Sequence, residues 1–232
     1  MTEVLRELIV KSSLPLTAIE CDFACDSTGF TASRFHRWYD HKYGPCGGER
    51  KQIDWVKTHL MIGTTTHIVT AVEIHQRNTG DCPMLPVLLD TTAQHFSVSE
   101  ISADRAYASA ANFDAIAKQG ATPYIPFRAG TTGDRGGLFA KAFHYFSLHR
   151  DAFLRQYHKR SNVETAIMAI KAKFGDAVRS KTDLAMKNEV LCKILCHNLT
   201  VLISAMHELG ITPDFATAPV CTTSLKLAQQ IG

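Results

Sequence analysis

Residues 16–30, LTAIECDFACDSTGF, join a short apolar run to a polar turn sequence. The composition of 17–25 predicts a β-strand, and residues 26–29 have the composition of a turn. We therefore expect Asp26 to close a strand of a sheet. In open α/β sheets, ligand and catalytic groups gather at such strand ends. The alternative is that the Asp26 carboxylate caps its own turn.

The segments after this strand alternate between strand and helix periodicity. Helices are predicted near 3–10, 81–94, 109–119, 138–156, 158–174 and 183–208, and strands near 55–62, 67–74, 98–103 and 122–126. This order predicts an α/β fold with a mixed β-sheet flanked by helices and a helical C-terminal part. Segment 30–52 is predicted to be a long polar excursion, and 128–137 a glycine-rich connection. We expect one domain over residues 1–210 and a loose C-terminal tail over 211–232.

The composition is that of a chain able to bury a sizeable core. It has 232 residues, of which 45% are hydrophobic, and a formal net charge of +3. The cysteine pairs Cys21/Cys25 and Cys192/Cys196 match no metal or redox spacing, which favours buried thiols acting as small hydrophobes. No secretory signal or run of 18 apolar residues is evident, so we expect a cytoplasmic protein without a membrane partner.

Positive charge is concentrated in residues 155–193. This stretch has nine Lys or Arg against four Asp or Glu, a local excess of five positive charges. Such an excess favours a polyanionic partner such as nucleic acid. A solvated surface with no partner is the alternative.

The helix predicted within YHKRSNVETAIMAIKAKF (157–174) carries polar residues in register beside its apolar face. At 100° per residue, Tyr157, Arg160, Glu164 and Lys171 fall within a sector of about 60°. The neighbouring apolar face contains Val163, Ile167, Ile170 and Phe174. Two ordinary explanations exist for Glu164: a surface ion pair, or a capping box in which it bonds back to the helix start.

A second acid, Asp104, directly follows the strand predicted at 98–103. Alone, Asp104 can be explained as a helix cap. Together with Asp26 and Glu164, it can form a cluster of three carboxylates. Each pair at 4 Å repels by about 4 kcal/mol at an effective dielectric of 20, so the cluster requires a cation or protons. Oxygen ligands favour Mg²⁺ or Mn²⁺, and two such ions suit phosphoryl transfer.

Three motifs together resemble a known family. They are DSTGF at 26–30, ADRAY at 103–107, and the pattern Tyr157-x2-Arg160-x3-Glu164-x6-Lys171. In this order they resemble the DDE transposases of bacterial insertion sequences, of the type with a Tyr-Arg-Glu-Lys signature. The resemblance covers about residues 17 to 205.

This resemblance implies a ribonuclease H-like fold and a set of functional residues. The catalytic and metal-ligating residues would be Asp26, Asp104 and Glu164, which would hold two Mg²⁺ or Mn²⁺ ions. Tyr157, Arg160 and Lys171 would contact the transposon-end DNA. Members of the family cut DNA at transposon ends and use the freed 3′-hydroxyl to attack target DNA, which implies at least a homodimer on DNA.

Two departures from the family pattern leave other functions open. Ala106 stands where relatives usually have glycine. The chain also starts almost at the first catalytic strand, so we expect it to lack the N-terminal region that recognises transposon ends. The alternatives are a truncated, non-catalytic remnant that binds DNA non-specifically, and a nuclease of the same fold that only hydrolyses DNA.

Overall fold

The computed structural model describes residues 1–32, 55–76 and 79–215. The strands are β1 (Asp22–Thr31), β2 (Trp55–Gly63), β3 (Val69–Gln76), β4 (Glu100–Ala103) and β5 (Thr122–Tyr124). The α-helices are α1 (Thr2–Ser13), α2 (Met84–Ala93), α3 (Ala110–Lys118), α4 (Gly137–Leu148), α5 (Arg150–Tyr157), α6 (Ser161–Phe174) and α7 (Asp183–Leu209). Short 3₁₀ turns cover Leu14–Leu16, Arg105–Tyr107 and His158–Arg160.

The five strands form one mixed sheet in the order β3-β2-β1-β4-β5. β1 pairs antiparallel with β2 and parallel with β4, and β4 pairs parallel with β5. The predicted hairpin is confirmed, since β2 and β3 are antiparallel neighbours. This mixed α/β architecture is consistent with the ribonuclease H-like fold that the motifs imply.

Helices cover both faces of the sheet because its strands alternate apolar side chains between two cores. On one face, Phe23 and Cys25 pack with residues of α2, α3 and α4. On the other face, Ala24 packs with residues of α1, α6 and α7. Successive residues of β1 therefore point to opposite layers.

The first strand differs from its prediction in position and length. Residues 17–19 form turns after the 3₁₀ turn, and β1 begins only at Asp22. The predicted turn at 26–29 is wrong, because those residues continue β1 as far as Thr31. Nine residue pairs with β2 run from Phe23 to Thr31 and hold this polar stretch extended. Pairing with a neighbouring strand thus overrides the local turn preference.

The prediction of one helix over 138–156 is also wrong. α4 ends at Leu148 and α5 starts at Arg150, because His149 leaves the helical region with φ −123° and ψ 48°. The helix predicted at 158–174 opens with a 3₁₀ turn before α6 begins at Ser161.

Helix α7 is the one helix in the described ranges that is long and apolar enough to cross a membrane. It packs on the sheet through the buried residues Val190, Leu191 and Ile194, as core helices do. The prediction of buried thiols holds for Cys25 and is wrong for Cys192 and Cys196, which are exposed on α7.

Several predictions fall on residues that the structure does not describe. They are most of the excursion at 30–52 and the tail from residue 216 onward.

Candidate active site

Asp26 and Asp104 occupy neighbouring positions on parallel strands. The last pair of the β1–β4 ladder is Cys25 with Ala103, and each acid is the next residue of its strand. Asp26 is therefore mid-strand in β1, contrary to its predicted place at a strand end, while Asp104 follows β4 as predicted. Alternation places Asp26 on the face where Ala24 packs against α6.

The carboxylate of Asp104 is fixed by its own backbone. Asp104 is the N-cap of the 3₁₀ turn Arg105–Tyr107, and its Oδ1 accepts a hydrogen bond from the Ala106 N–H. Tyr107 is buried and anchors the turn in the core, where the Asn112 amide donates to its carbonyl at 2.7 Å. The capping interpretation of Asp104 is confirmed. The same hydrogen bond orients the Asp104 carboxylate. Glycine is not required at position 106, because the φ angle of Ala106 is not positive.

Glu164 projects from the first turn of α6 and is half exposed. The capping-box interpretation is wrong: no side chain caps the start of α6, and a Glu164 oxygen accepts instead from the Arg160 guanidinium at 2.5 Å. The ion-pair interpretation is thereby confirmed, although Arg160 also contacts Asp26 of the sheet.

Arg160 connects two of the three predicted acids. Its Nη1 donates to Asp26 Oδ2 at 3.1 Å, and its Nη2 donates to Glu164 at 2.5 Å. The two carboxylates are thus separated by no more than one guanidinium and two hydrogen bonds. The Tyr157 ring lies beneath the guanidinium, with its centroid 5.7 Å from Cζ. Phe153, with its ring centroid 6.3 Å from that of Tyr157, holds the tyrosine from behind.

Lys171 lies in α6, about three helical turns beyond Arg160. Its Nζ donates to the Gly29 carbonyl of β1 at 2.9 Å and lies 5.5 Å from the centre of the Phe30 ring. The predicted sector is partly observed: Arg160 and Lys171 both reach β1, but Arg160 ends the 3₁₀ turn before α6 and Tyr157 ends α5. Arg160 contacts the acids, whereas Lys171 contacts the strand three residues beyond Asp26.

The electrostatics of Asp26 show that the acids influence one another. Burial raises the pKa of Asp26, and the Ser27 N–H and the Arg160 guanidinium act in the opposite direction. The carboxylates of Glu164 and Asp104 raise this pKa further. Three acids and one arginine leave a formal charge of −2 when all are ionised, so a divalent cation would neutralise the cluster.

The oxygen-only donor set fits Mg²⁺ or Mn²⁺ in its chemistry. Among residues 1–32, 55–76 and 79–215, however, no group of three or more His, Cys, Asp or Glu side chains is arranged to hold a metal ion. The Arg160 guanidinium lies between two of the predicted ligands, Asp26 and Glu164.

Sequence reasoning missed Lys159 and its two acidic partners. Lys159 Nζ lies 3.0 Å from Asp22 Oδ2 and 2.9 Å from Glu100 Oε2. Asp22 and Glu100 are register partners on β1 and β4, each four residues before a predicted catalytic acid. That shared spacing of four is a signal in the sequence, but the contact with Lys159 spans more than 130 residues to Asp22.

The basic stretch 155–193 is only partly a free surface. Lys193 is buried and donates to three carbonyls, Phe174, Gly175 and Ala177, at the C-terminal end of α6. Lys159 and Arg160 bind acids. The exposed cations of this stretch are Arg155, Lys173, Arg179 and Lys181.

The family model described as "Transposase DDE domain" matches residues 18–199, a span that includes β1 to β5 and most of α7.

Proposed function

Since the chain belongs to the DDE transposase family, we propose that it is a catalytic domain that cuts DNA strands at insertion-sequence ends and transfers them to target DNA. The family match confirms the general resemblance drawn from the three motifs. DNA is the substrate that transposase function implies, and DDE transposases generally use divalent metal ions. The insertion-sequence type and the Tyr-Arg-Glu-Lys subtype belong to the proposal.

The observation that carries the proposal is that three acids from separate elements lie near enough for Glu164 and Asp104 to act on the charge of Asp26. Asp26 of β1 and Asp104 after β4 are adjacent across a parallel ladder, and Glu164 of α6 is one guanidinium away from Asp26. Their order in the sequence is the order that the motifs imply for a ribonuclease H-like site, which supports the proposal. Burial raises the pKa of Asp26 and the carboxylates of Glu164 and Asp104 add to the shift, a pattern that is common at functional sites and supports the proposal.

Each residue has a task in this scheme. Asp26, Asp104 and Glu164 would hold two Mg²⁺ or Mn²⁺ ions, which lower the pKa of a water nucleophile and stabilise the leaving oxygen when bound. Hydrogen bonding from Ala106 keeps the Asp104 carboxylate oriented. Arg160 and Lys171, at the same edge of β1, would bind phosphates of the transposon end.

Tyr157 would hold the Arg160 guanidinium in place through its ring and add a contact near the cut strand. The exposed cations Arg155, Lys173, Arg179 and Lys181 would extend the DNA-binding surface through phosphate contacts. In the proposal, residues 1–210 form the catalytic domain, and the active assembly is a homodimer on DNA in the cytoplasm.

The proposed function is tested by nicking of supercoiled plasmid in Mg²⁺ or Mn²⁺. We expect nicking that requires the metal and is abolished by Glu164→Gln. The change removes one negative charge but keeps the shape of the side chain. Absence of nicking with either metal, in a chain that is folded by circular dichroism, would favour a non-catalytic DNA-binding remnant.

A second assay separates transposition from simple hydrolysis. A pre-cut, labelled duplex that ends in the transposon terminus should become joined through its 3′-hydroxyl to a target plasmid. Nicking without any joined product would instead indicate a hydrolysis-only nuclease of the same fold.

A further inference from the structure

Arg160 lies between two of the acids, Asp26 and Glu164, as a cation bound by both would. One guanidinium contacts Asp26 at 3.1 Å and Glu164 at 2.5 Å, and its side chain is only 18% exposed. These are two of the three acids that would ligate metal in the proposed function. The same arginine is a candidate phosphate ligand for DNA.

We propose that Arg160 is an internal stand-in for the divalent cation, and that binding of a DNA phosphate to Arg160 frees Asp26 and Glu164 to load metal. This inference rests on the proposed function and specifies how its site is regulated. In the free protein Arg160 and the metal compete for the same carboxylates. On DNA, the phosphate takes the guanidinium, and the competition ends.

The contacts of Arg160 suit such an exchange. A guanidinium binds carboxylate and phosphate with the same forked geometry, so a phosphate can replace the two acids as its partner. The Tyr157 ring supports the guanidinium independently of either acid. Arg160 thus retains part of its environment when its carboxylate partners are exchanged.

The exchange also accounts for the charge of the site. With Arg160 engaged, Asp26 and Glu164 share one positive charge, and the cluster of three acids keeps a formal charge of −2. If the guanidinium were neutralised by phosphate, the acids would have no internal cation. Buried or clustered carboxylates without a counter-charge are unfavourable, which increases their affinity for a divalent ion.

Thermodynamic linkage between DNA binding and metal binding sets the size of the expected effect. A ligand that removes a competitor from a second site increases affinity there, and the effect is reciprocal. DNA and metal should therefore bind with positive cooperativity, and couplings of this kind are typically about 5- to 150-fold in affinity. Such gating would keep a nuclease site unloaded until DNA is present.

The first experiment measures Mn²⁺ binding to the full chain without DNA, by isothermal titration calorimetry. Arg160→Gln should bind Mn²⁺ about 5- to 150-fold more tightly than the unchanged chain, because it removes the competitor. Lys171→Gln removes the same formal charge from α6, where Lys171 donates to the Gly29 carbonyl, and should change the affinity much less. Arg160→Lys keeps the charge but loses the fork, so its affinity should lie between the two.

Each outcome decides the proposal. If Arg160→Gln binds Mn²⁺ no more tightly than the unchanged chain, including the case in which neither binds it, then Arg160 does not compete and the inference is wrong. If Lys171→Gln tightens binding as much as Arg160→Gln, the effect is general charge rather than competition, which also overturns it. Plasmid nicking by the unchanged chain decides the proposed function separately, because nicking depends on metal loading in the presence of DNA.

A second measurement tests the reciprocal effect. Affinity for a short duplex, followed by fluorescence anisotropy at constant ionic strength, should increase when Ca²⁺ replaces a chelator. The increase should be similar in Lys171→Gln and clearly smaller in Arg160→Gln. An equal increase in all three proteins would contradict the role given to Arg160.

Discussion

Two pairs of acids lie on the same two strands and have different partners. Asp22 and Glu100 are register partners near the start of the β1–β4 ladder, and one lysine, Lys159, contacts both at about 3 Å. Four residues later, Asp26 and Asp104 leave the ladder side by side. The cation that contacts Asp26 is Arg160, which is shared with Glu164 on α6.

The difference separates a structural cluster from a candidate catalytic one. In the first pair, a lysine bridges both strands and the formal charge of the trio is −1. In the second, one arginine contacts Asp26 and Glu164, and these two acids, Asp104 and the arginine have a formal charge of −2. The lysine and arginine are consecutive residues of one 3₁₀ turn, so a single segment serves both clusters. The excess negative charge at the second pair is what makes it a candidate metal site.

The largest expected difference between the pairs is in DNA cleavage. Asp26→Asn should lower plasmid nicking by about 10³-fold or more, as losses in groups that act as a unit commonly do. Asp22→Asn, the matched change four residues earlier on β1, should keep most of the activity. Equal losses in the two variants, at equal melting temperature, would remove the distinction between the clusters.

The next effect is stabilisation by metal. Mn²⁺ at 100 times its dissociation constant should raise the free energy of unfolding by about 2.7 kcal/mol, because it binds only the folded chain. Thermal unfolding of the DNA-free protein measures this shift. The shift should persist in Asp22→Asn and vanish in Asp26→Asn and Glu164→Gln. A shift that survives in Glu164→Gln would place the ion elsewhere.

Breaking the lysine cluster should mainly affect stability. Lys159→Met leaves Asp22 and Glu100 without their shared cation, and burial already raises the pKa of Glu100. With these side chains partly exposed, we expect a loss of about 1–2 kcal/mol in the free energy of unfolding, between the values for exposed and buried pairs. Urea unfolding measures it, and Lys159→Arg is the control that should recover most of the loss. A loss in Lys159→Arg equal to that in Lys159→Met would show that packing of the lysine stem matters more than its charge.

The sequence predicted the elements well where the pattern was local, and less well where distant contacts decide. The hairpin, α2, α3 and α7 were predicted near their observed bounds, because their signals lie within each segment. The polar residues 26–29 were predicted as a turn, but pairing with β2 keeps them in the strand. The break in the helix at His149 could not be predicted, because no glycine or proline lies next to it in the sequence.

In the candidate site too, local sequence patterns were predictable and contacts between distant residues were not. Its acids were identified because three motifs carry them in a fixed order, and the structure places two of them side by side. The shared contact of Arg160 could not be predicted, since helical register gives the angular sector of a residue but not what it touches on a sheet 134 residues away. The contacts of Lys159 with Asp22 and Glu100 could not be predicted for the same reason.

The smallest expected effect is a gain in stability when Asp26 loses its charge. Burial raises the pKa of Asp26 in the folded chain, with Ser27 and Arg160 opposing and the other acids reinforcing the shift. The protonated form is therefore favoured by folding. Its contribution to stability is complete below the unfolded pKa of about 3.9 and is lost as the pH rises through the raised folded pKa.

In a chelator at neutral pH, Asp26→Asn should thus melt slightly higher than the unchanged chain, and the difference should shrink toward pH 4 as Asp26 becomes protonated. Melting curves at several pH values measure it. Asp22→Asn should show no such gain, because Asp22 shares Lys159 with one other acid in a cluster that has less excess negative charge. A lower melting temperature for Asp26→Asn at neutral pH would mean that the Arg160 contact outweighs the burial of the charge. The acid cluster would then be stable without a metal ion, as the cluster around Lys159 is.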